Sequence, residues 1–530
     1  MHGKTIPTIS DRCGKHLAVS SQIDGDYPIR KLLIVGGGSA GWMAAAYLSR
    51  ALGKSVTIEL VESDDIGIVG VGEATIPPIR DFNRVAGVDE AALLAATDAT
   101  FKIGIQFENW GQQGDTYLHA FGHTGRELDA LVPLHHWWLH GRTGEETGYP
   151  SWEEMFLGRT AADDKRFGID QRPGADLSRL LPHAFHFDAL AYSQYLRELA
   201  QGRGVARTEG RIAQAVRDGE AGSVSHVELD DGRHIDADFF IDCSGFQSLL
   251  VGRTMEQPFD DWSAYLPSDR AVVVQTEPTG TAIAPYTRAI AHETGWQWQI
   301  PLQSRVGNGH VYSSAYSTDE AAQQRLMKNL PGEPTNDPRL LRFRTGRYRE
   351  PWAGNVLALG LAAGFLEPLE STSIHLVQAG LERFVSLFPA TRDGSQERSR
   401  FNRQSEVEWL QVRDFIIAHY AVTQRNDSEF WRHCSAMSLP DSLSETLDIW
   451  KAHGSLAIDG GHLFQLSSWT SLLIGQNLLP NQPHPLTSRV DARVIRQQIV
   501  KISHALRTHG SSLPDHREFI NRVLASAPKS

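Results

Sequence analysis

The chain has 530 residues, 41% hydrophobic and 22% charged, the make-up of a globular protein long enough for two or three lobes. Its 51 basic and 63 acidic side chains leave a formal net charge of −12, which argues against a nucleic-acid binder, a class that normally shows a basic stripe. Cys13, Cys243 and Cys434 show no metal-ligand spacing, so neither a disulfide framework nor a metal site is expected and a reducing, cytoplasmic setting fits.

Residues 1–27 are polar, lack the apolar core of a signal peptide, and read as a flexible N-terminal extension. Residues 31–35 (KLLIV) then form a short buried strand ended by glycine. A turn at residues 36–38, a helix over 42–52 and a second strand over 55–61 (SVTIELV) complete a βαβ unit. Residues 32–49 carry no charge and are long enough to cross a bilayer. The four glycines among them point instead to strand, tight turn and helix, so no membrane span is expected. Residues 239–243 (FFIDC) and 356–361 (VLALGL) read as further strands of the same sheet, and the alternating runs 226–229 and 271–275 suggest a second, mixed sheet. Residues 395–420 have apolar positions at Phe401, Val407, Leu410, Phe415 and Ile416, a pattern for an amphipathic helix, and the rest of the chain reads as mostly helical. The expected architecture is α/β (α+β). It has a Rossmann-type dinucleotide-binding core over 28–390 with a mixed second sheet, and a mostly helical region over 391–530 packed against it.

Gly36-Gly37-Gly38-Ser39-Ala40-Gly41 satisfies the dinucleotide fingerprint G-x-G-x-x-G. Gly36 permits the tight turn, Gly38 lets backbone approach a pyrophosphate, and Gly41 allows helix to pack on strand. Ser39 and Ala40 open the helix whose N-terminus faces the phosphates. Glu62, at the end of the second strand, is placed to accept hydrogen bonds from ribose hydroxyls. These residues alone do not separate FAD from NAD. A single fingerprint does not support a self-contained NAD(P)H-oxidising flavoenzyme, so reducing equivalents would arrive from elsewhere.

Three further segments are more specific than the glycine loop. Gly295-Trp296-Gln297-Trp298-Gln299-Ile300-Pro301 is similar to the W-x-W-x-I-P signature of the flavin-dependent halogenases, tryptophan-halogenase family. Gly70-Val71-Gly72-Glu73-Ala74-Thr75-Ile76-Pro77 resembles the strap along the flavin. Phe365-Leu366-Glu367-Pro368-Leu369-Glu370-Ser371-Thr372 resembles the F-L-E-P-L-E-S-T segment. The segments stand in family order, and the resemblance covers about residues 30 to 480.

The resemblance implies an FADH2- and O2-dependent enzyme that makes hypohalous acid from chloride or bromide and delivers it to an electron-rich aromatic ring. A separate NAD(P)H-dependent flavin reductase would supply the reduced flavin, and the enzyme would be a monomer or homodimer. Val71, Gly72, Glu73, Ala74 and Gly360 join the fingerprint residues as flavin contacts. Lys102 takes the place of the family's essential lysine, either hydrogen-bonding hypohalous acid as an ammonium or forming a haloamine as an amine; a desolvated lysine suits both. On the local pattern alone, Lys102 reads as a snorkelling surface lysine.

Glu370 takes the second catalytic position, where a carboxylate stabilises the cationic ring adduct and accepts its proton. It also reads as a helix N-terminal carboxylate, with Ser371 and Thr372 as capping residues. The backbone of Thr372 and Ser373 would bind halide. The family commonly has glycine at the place of Ser373, and a site made of backbone N–H groups tolerates serine. Trp296 and Trp298 would keep substrate from the flavin; both fall on one face of a strand and equally suit core packing.

For the substrate, His119 and Phe121 match positions that sandwich an indole, though the segment also reads as a surface turn with a buried Phe. Ile105 and Trp469 are further candidates to line the pocket. Tryptophan-specific members carry a paired-tyrosine and glutamate run and a Phe-Trp-…-Asn run for the amino acid's charges. Here residues 460–469 (GGHLFQLSSW) offer neither, and no carboxylate lies between Asp459 and Pro480. Burying an unpaired zwitterion is costly, so an indole, a phenol or a larger indole-bearing molecule is expected rather than free tryptophan. Two other readings share the fold: a flavin-dependent aromatic hydroxylase, which gives no reason for Lys102, and a non-catalytic flavin- or partner-binding protein.

Overall fold

A six-stranded sheet frames the chain. In this computed structural model, which describes residues 29–65, 72–142, 147–169, 181–219, 222–390, 394–458 and 460–526, its strands run in the order Trp352–Ala353, Val356–Ala358, Phe239–Asp242, Lys31–Val35, Thr57–Glu62 and Ala206–Glu209. All are parallel except the first, which folds back on its neighbour. The four strands expected from apolar runs all belong to it. The run 356–361 is shorter than expected, because Gly360 takes φ +61 and turns the chain into a 3-10 helix. The N-terminal extension and Val71 lie outside the described residues.

Alternation along the central strand explains why it is apolar throughout. Leu32 and Ile34 enter the large core with Trp42, Met43 and Leu48 of the helix Ser39–Ala51. Leu33 and Val35 enter a second core with Val61, Phe240, Val227 and Ile235. Both faces are covered, as a parallel sheet requires.

Two runs expected to share one mixed sheet fall in different sheets. Val224–Leu229 lies between His234–Asp236 and Ile212–Arg217 in a small antiparallel sheet. Arg270–Thr276 belongs to a seven-stranded sheet that is mixed, since Thr287–His292 pairs parallel with Gly104–Glu108. Alternating hydrophobicity reports one buried face and carries no information on the partner strand.

Another small sheet places Ala184–Asp188 between Gly72–Ala74 and Thr100–Lys102, tying the strap segment to the Lys102 strand. Beyond Phe365 no strand occurs among the described residues. The long helix Ser395–Ala421 covers the expected span, but its buried stripe is Phe401, Ser405, Trp409, Val412 and Ile416, while Val407 is 54% exposed. Six residues at about 100° each carry Val407 roughly 240° round from Phe401, off the buried face. No helix among the described residues is long and apolar enough to cross a membrane. Cys243 and Cys434 are buried and unpaired.

Candidate active site

The glycine loop opens onto a cavity of about 890 Å³. Gly36 has φ +104, and a Cβ there would lie 2.3 Å from the Cys243 carbonyl oxygen. A Cβ on Gly41 would lie 1.9 Å from the Gly36 carbonyl oxygen, which explains the close seating of helix on turn. Gly38 faces open space, and the helix it caps has neither a side-chain cap nor an acidic residue in its first turn. Those free N–H groups suit a phosphate. Gly37 is constrained too, for a Cβ would meet the Glu62 carboxylate. Glu62 accepts from Arg207 Nε at 2.6 Å, and Trp42 Nε1 approaches its other oxygen at 3.4 Å. Gly72, Glu73, Ala74 and Gly360 also line the cavity, together with Ser39, Ala40, Ser371 and Ser373. Residues and space fit a dinucleotide cofactor.

Lys102 is wholly buried, not snorkelling. Its Nζ donates to Ser371 Oγ at 2.8 Å and lies 5.3 Å from the centroid of the Phe121 ring. Burial lowers the amine to about 7, against the opposing pull of Glu370 and Glu73. Burial likewise raises Glu73 to about 7, a backbone bond from Ala74 and the charge of Lys102 opposing it; what remains open of this side chain faces the cavity.

Glu370 closes a 3-10 turn, Pro368–Glu370, and is itself fully buried. His119 Nδ1 lies 3.0 Å from each of its oxygens. His419 Nε2 lies 2.9 Å from Oε1, outside hydrogen-bond geometry. Burial would raise this carboxyl, but His119, then His419, hold it down at about 2. The two histidines thus favour the ionised carboxylate, while burial disfavours the charged form of the Lys102 amine.

Ser371 and Thr372 do not cap the next helix with their side chains. Ser371, at φ +60, turns its hydroxyl to Lys102. Thr372 makes no capping bond, and its buried Oγ1 has no partner. The N-terminus of Ser373–Ser386 thus keeps unsatisfied donors beside the cavity wall, a setting that attracts an anion.

Trp296 and Trp298 sit on that wall with ring centroids 6.0 Å apart. Trp296 Nε1 donates to Glu367 Oε2 at 2.9 Å, and Tyr420 OH donates to the same oxygen at 2.6 Å. Burial raises Glu367 to about 7, those two bonds opposing it. Trp296 also contacts Trp110, which packs against His419.

Thr116–Ala120 is a strand rather than a surface turn, and its register sets His119 opposite Ile105. His119 packs edge-on to Phe415 at 5.8 Å. Phe464 stacks on Phe415 at 3.9 Å and Trp469 meets it edge-on at 5.0 Å. Lys102 is thereby joined to Phe121, and Glu370 through His119 and Phe415 to Trp469; none of them is among the residues lining the cofactor cavity. Ser371 as the amine's partner, His419, Phe415 and Phe464 carry no sequence signal that distinguishes them from core residues.

Fold and sequence place the protein in one class, the flavin-dependent halogenases. Xcc4156, a flavin-dependent halogenase from Xanthomonas campestris, is similar at a TM-score of 0.89 and 41% identity, over 95% of this chain and 99% of that one. BrvH, a flavin-dependent halogenase from Brevundimonas sp. BAL3, is similar at 0.88 and 38%, over 94% and 99%. The tryptophan 7-halogenase RebH of Lentzea aerocolonigenes is 34% identical over 494 residues, 86% of this chain and 91% of that protein. The tryptophan halogenase family model matches residues 31–492, and the chain belongs to that family.

Proposed function

We propose that this halogenase generates hypohalous acid in the long cavity, passes it by Ser371 to Lys102, and halogenates an indole-type ring held among His119, Phe121, Ile105 and Trp469. Reduced FAD supplies, with O2, the oxidation of chloride or bromide to hypohalous acid, and a separate NAD(P)H-dependent flavin reductase keeps it reduced. Gly36, Gly38, Ser39, Ala40 and Gly41 would hold the pyrophosphate, Glu62 the ribose side, and Gly72, Glu73, Ala74 and Gly360 would border the ring system. Halide rests on the uncapped N–H groups at Thr372 and Ser373. Trp296, pinned by Glu367, and Trp298 keep the aromatic substrate out of the cavity.

Halogen transfer takes place beside Lys102 and Glu370. Hypohalous acid transfers halogen to a ring carbon, and its oxygen leaves as water with a proton from the Lys102 ammonium. Glu370 stabilises the cationic adduct and takes the ring proton. The two acid–base roles need opposite protonation states side by side, which the two environments provide. The supporting observation is the 2.8 Å bond from Lys102 to Ser371, a residue on the cavity wall that directly follows Glu370.

The substrate class rests on what stands around Trp469. Phe415, Phe464 and Trp469 form an aromatic cluster, and residues 460–480 contain no carboxylate for an amino-acid ammonium. Assays with FAD, a reductase and either halide, read by mass spectrometry for isotope patterns, test it. Brominated indole is expected ahead of chlorinated tryptophan. Efficient chlorination of free tryptophan with indoles untouched would overturn the substrate, and hydroxylated product without halide would favour the hydroxylase reading.

A further inference from the structure

Away from the active site, the outer face of the small antiparallel sheet gathers an unusual set of side chains. His226 and Glu228 share a face because strand side chains alternate, and the register sets His234 opposite Glu228 and Asp236 opposite His226. The other face is apolar: Val227 and Ile235 pack into the core behind the sheet. The two imidazole rings lie parallel, 4.9 Å apart at 17°.

Both Nε2 atoms converge on one oxygen. His226 Nε2 is 3.5 Å and His234 Nε2 3.7 Å from Glu228 Oε1, and the three ligand atoms lie within 4.8 Å of one another. Neither distance makes a good hydrogen bond. They approximate the edge of a tetrahedron, about 3.4 Å for metal–ligand bonds of about 2.1 Å. Outer partners orient the ligands: Ser225 Oγ lies 2.9 Å from His226 Nδ1, leaving Nε2 for the centre, and Gln214 donates to the second oxygen of Glu228 at 2.5 Å. Such supports fix tautomer and carboxylate orientation in metal sites.

We propose that His226, Glu228 and His234 bind a divalent transition metal of the zinc type, with a fourth position open to water. Two imidazoles with one carboxylate suit zinc, nickel or copper, whereas calcium and magnesium prefer oxygen throughout. An ordinary surface attraction between His and Glu would contribute little on its own and would not require three groups to point at one centre. The site crosslinks two strands of the hairpin. The neighbouring strand, Ile212–Arg217, begins where Gly210, Arg211 and Ile212 line the cofactor cavity, so the ion stiffens the far end of that cavity and takes no part in halogen transfer.

Titration calorimetry on the full chain, tag removed and chelator-treated, tests this with Zn²⁺ as the probe. One equivalent is expected to bind and raise the melting temperature, and Co²⁺ in its place should give the visible absorption of a tetrahedral centre. His234→Ala and Glu228→Gln should each weaken binding at least about tenfold, with basal halogenation unchanged. Binding that persists in a His226→Ala/His234→Ala protein would assign the metal elsewhere and overturn the proposal, as would no binding or an equal response to Mg²⁺.

Discussion

His119 Nδ1 stands 3.0 Å from both carboxylate oxygens of Glu370, so one ring nitrogen is shared between the two oxygens and holds the anion in place. Removing one member of a buried pair leaves an uncompensated charge, at a cost of about 3 kcal/mol. His119→Ala should therefore lower stability at neutral pH. Because Glu370 is depressed to about 2 from 4.5, its contribution is complete above pH 4.5 and lost as pH falls towards 2. Melting temperatures followed over that window should fall less steeply in His119→Ala than in the parent; an unchanged slope would remove His119 as the cause.

Lys102→Met should abolish ring halogenation by about 10²- to 10⁴-fold, the span of a lost acid–base group, while halide oxidation continues. A soluble trap for hypohalous acid should still be consumed with product absent. If trap and product both persist, the amine is not the delivery group.

The Lys102 amine, lowered to about 7 from 10.5, also gives a stability signature. Between those values the unfolded chain holds a proton that the folded one does not, so stability from this group rises with pH across the window. Lys102→Met should flatten that rise in urea melts between pH 7 and pH 10.

Glu73 raises the Lys102 amine through space. Glu73→Gln removes that charge, so the amine's transition in the pH profile of kcat/KM should move below pH 7. A shift upwards would contradict the electrostatic assignment.

In the glycine loop, Gly41→Ala and Gly38→Ala should part company. The first sets a methyl 1.9 Å from backbone oxygen and should lower the melting temperature before any cofactor is added. The second points into the cavity and should leave the fold intact while weakening flavin binding, as read by fluorescence quenching.

Much of the frame was legible from residues alone, because parallel strands buried on two faces must be apolar runs and a tight turn must be glycine. Lys31–Val35 and Phe239–Asp242 are such runs. Which strand neighbours which was not legible: the 226–229 and 271–275 runs look alike and serve different sheets. Val407 misled because an apolar residue on a helix is not bound to face the core. At the candidate site, Glu370 stands in a motif and Lys102 is marked by the family resemblance alone, whereas His419 sits in a helix turn buried on all sides and reads as a core histidine. Only tertiary packing carries it to 2.9 Å from Glu370. Phe464 follows a glycine-rich bend and signals no more than a loop entering a core.

Ser371 both lines the cofactor cavity and accepts from the Lys102 amine, so a single hydroxyl joins the cavity wall to the buried amine. Phe415, Phe464 and Trp469 are not among the residues lining that cavity, so substitutions there can admit bulkier aromatics without retuning oxidant supply.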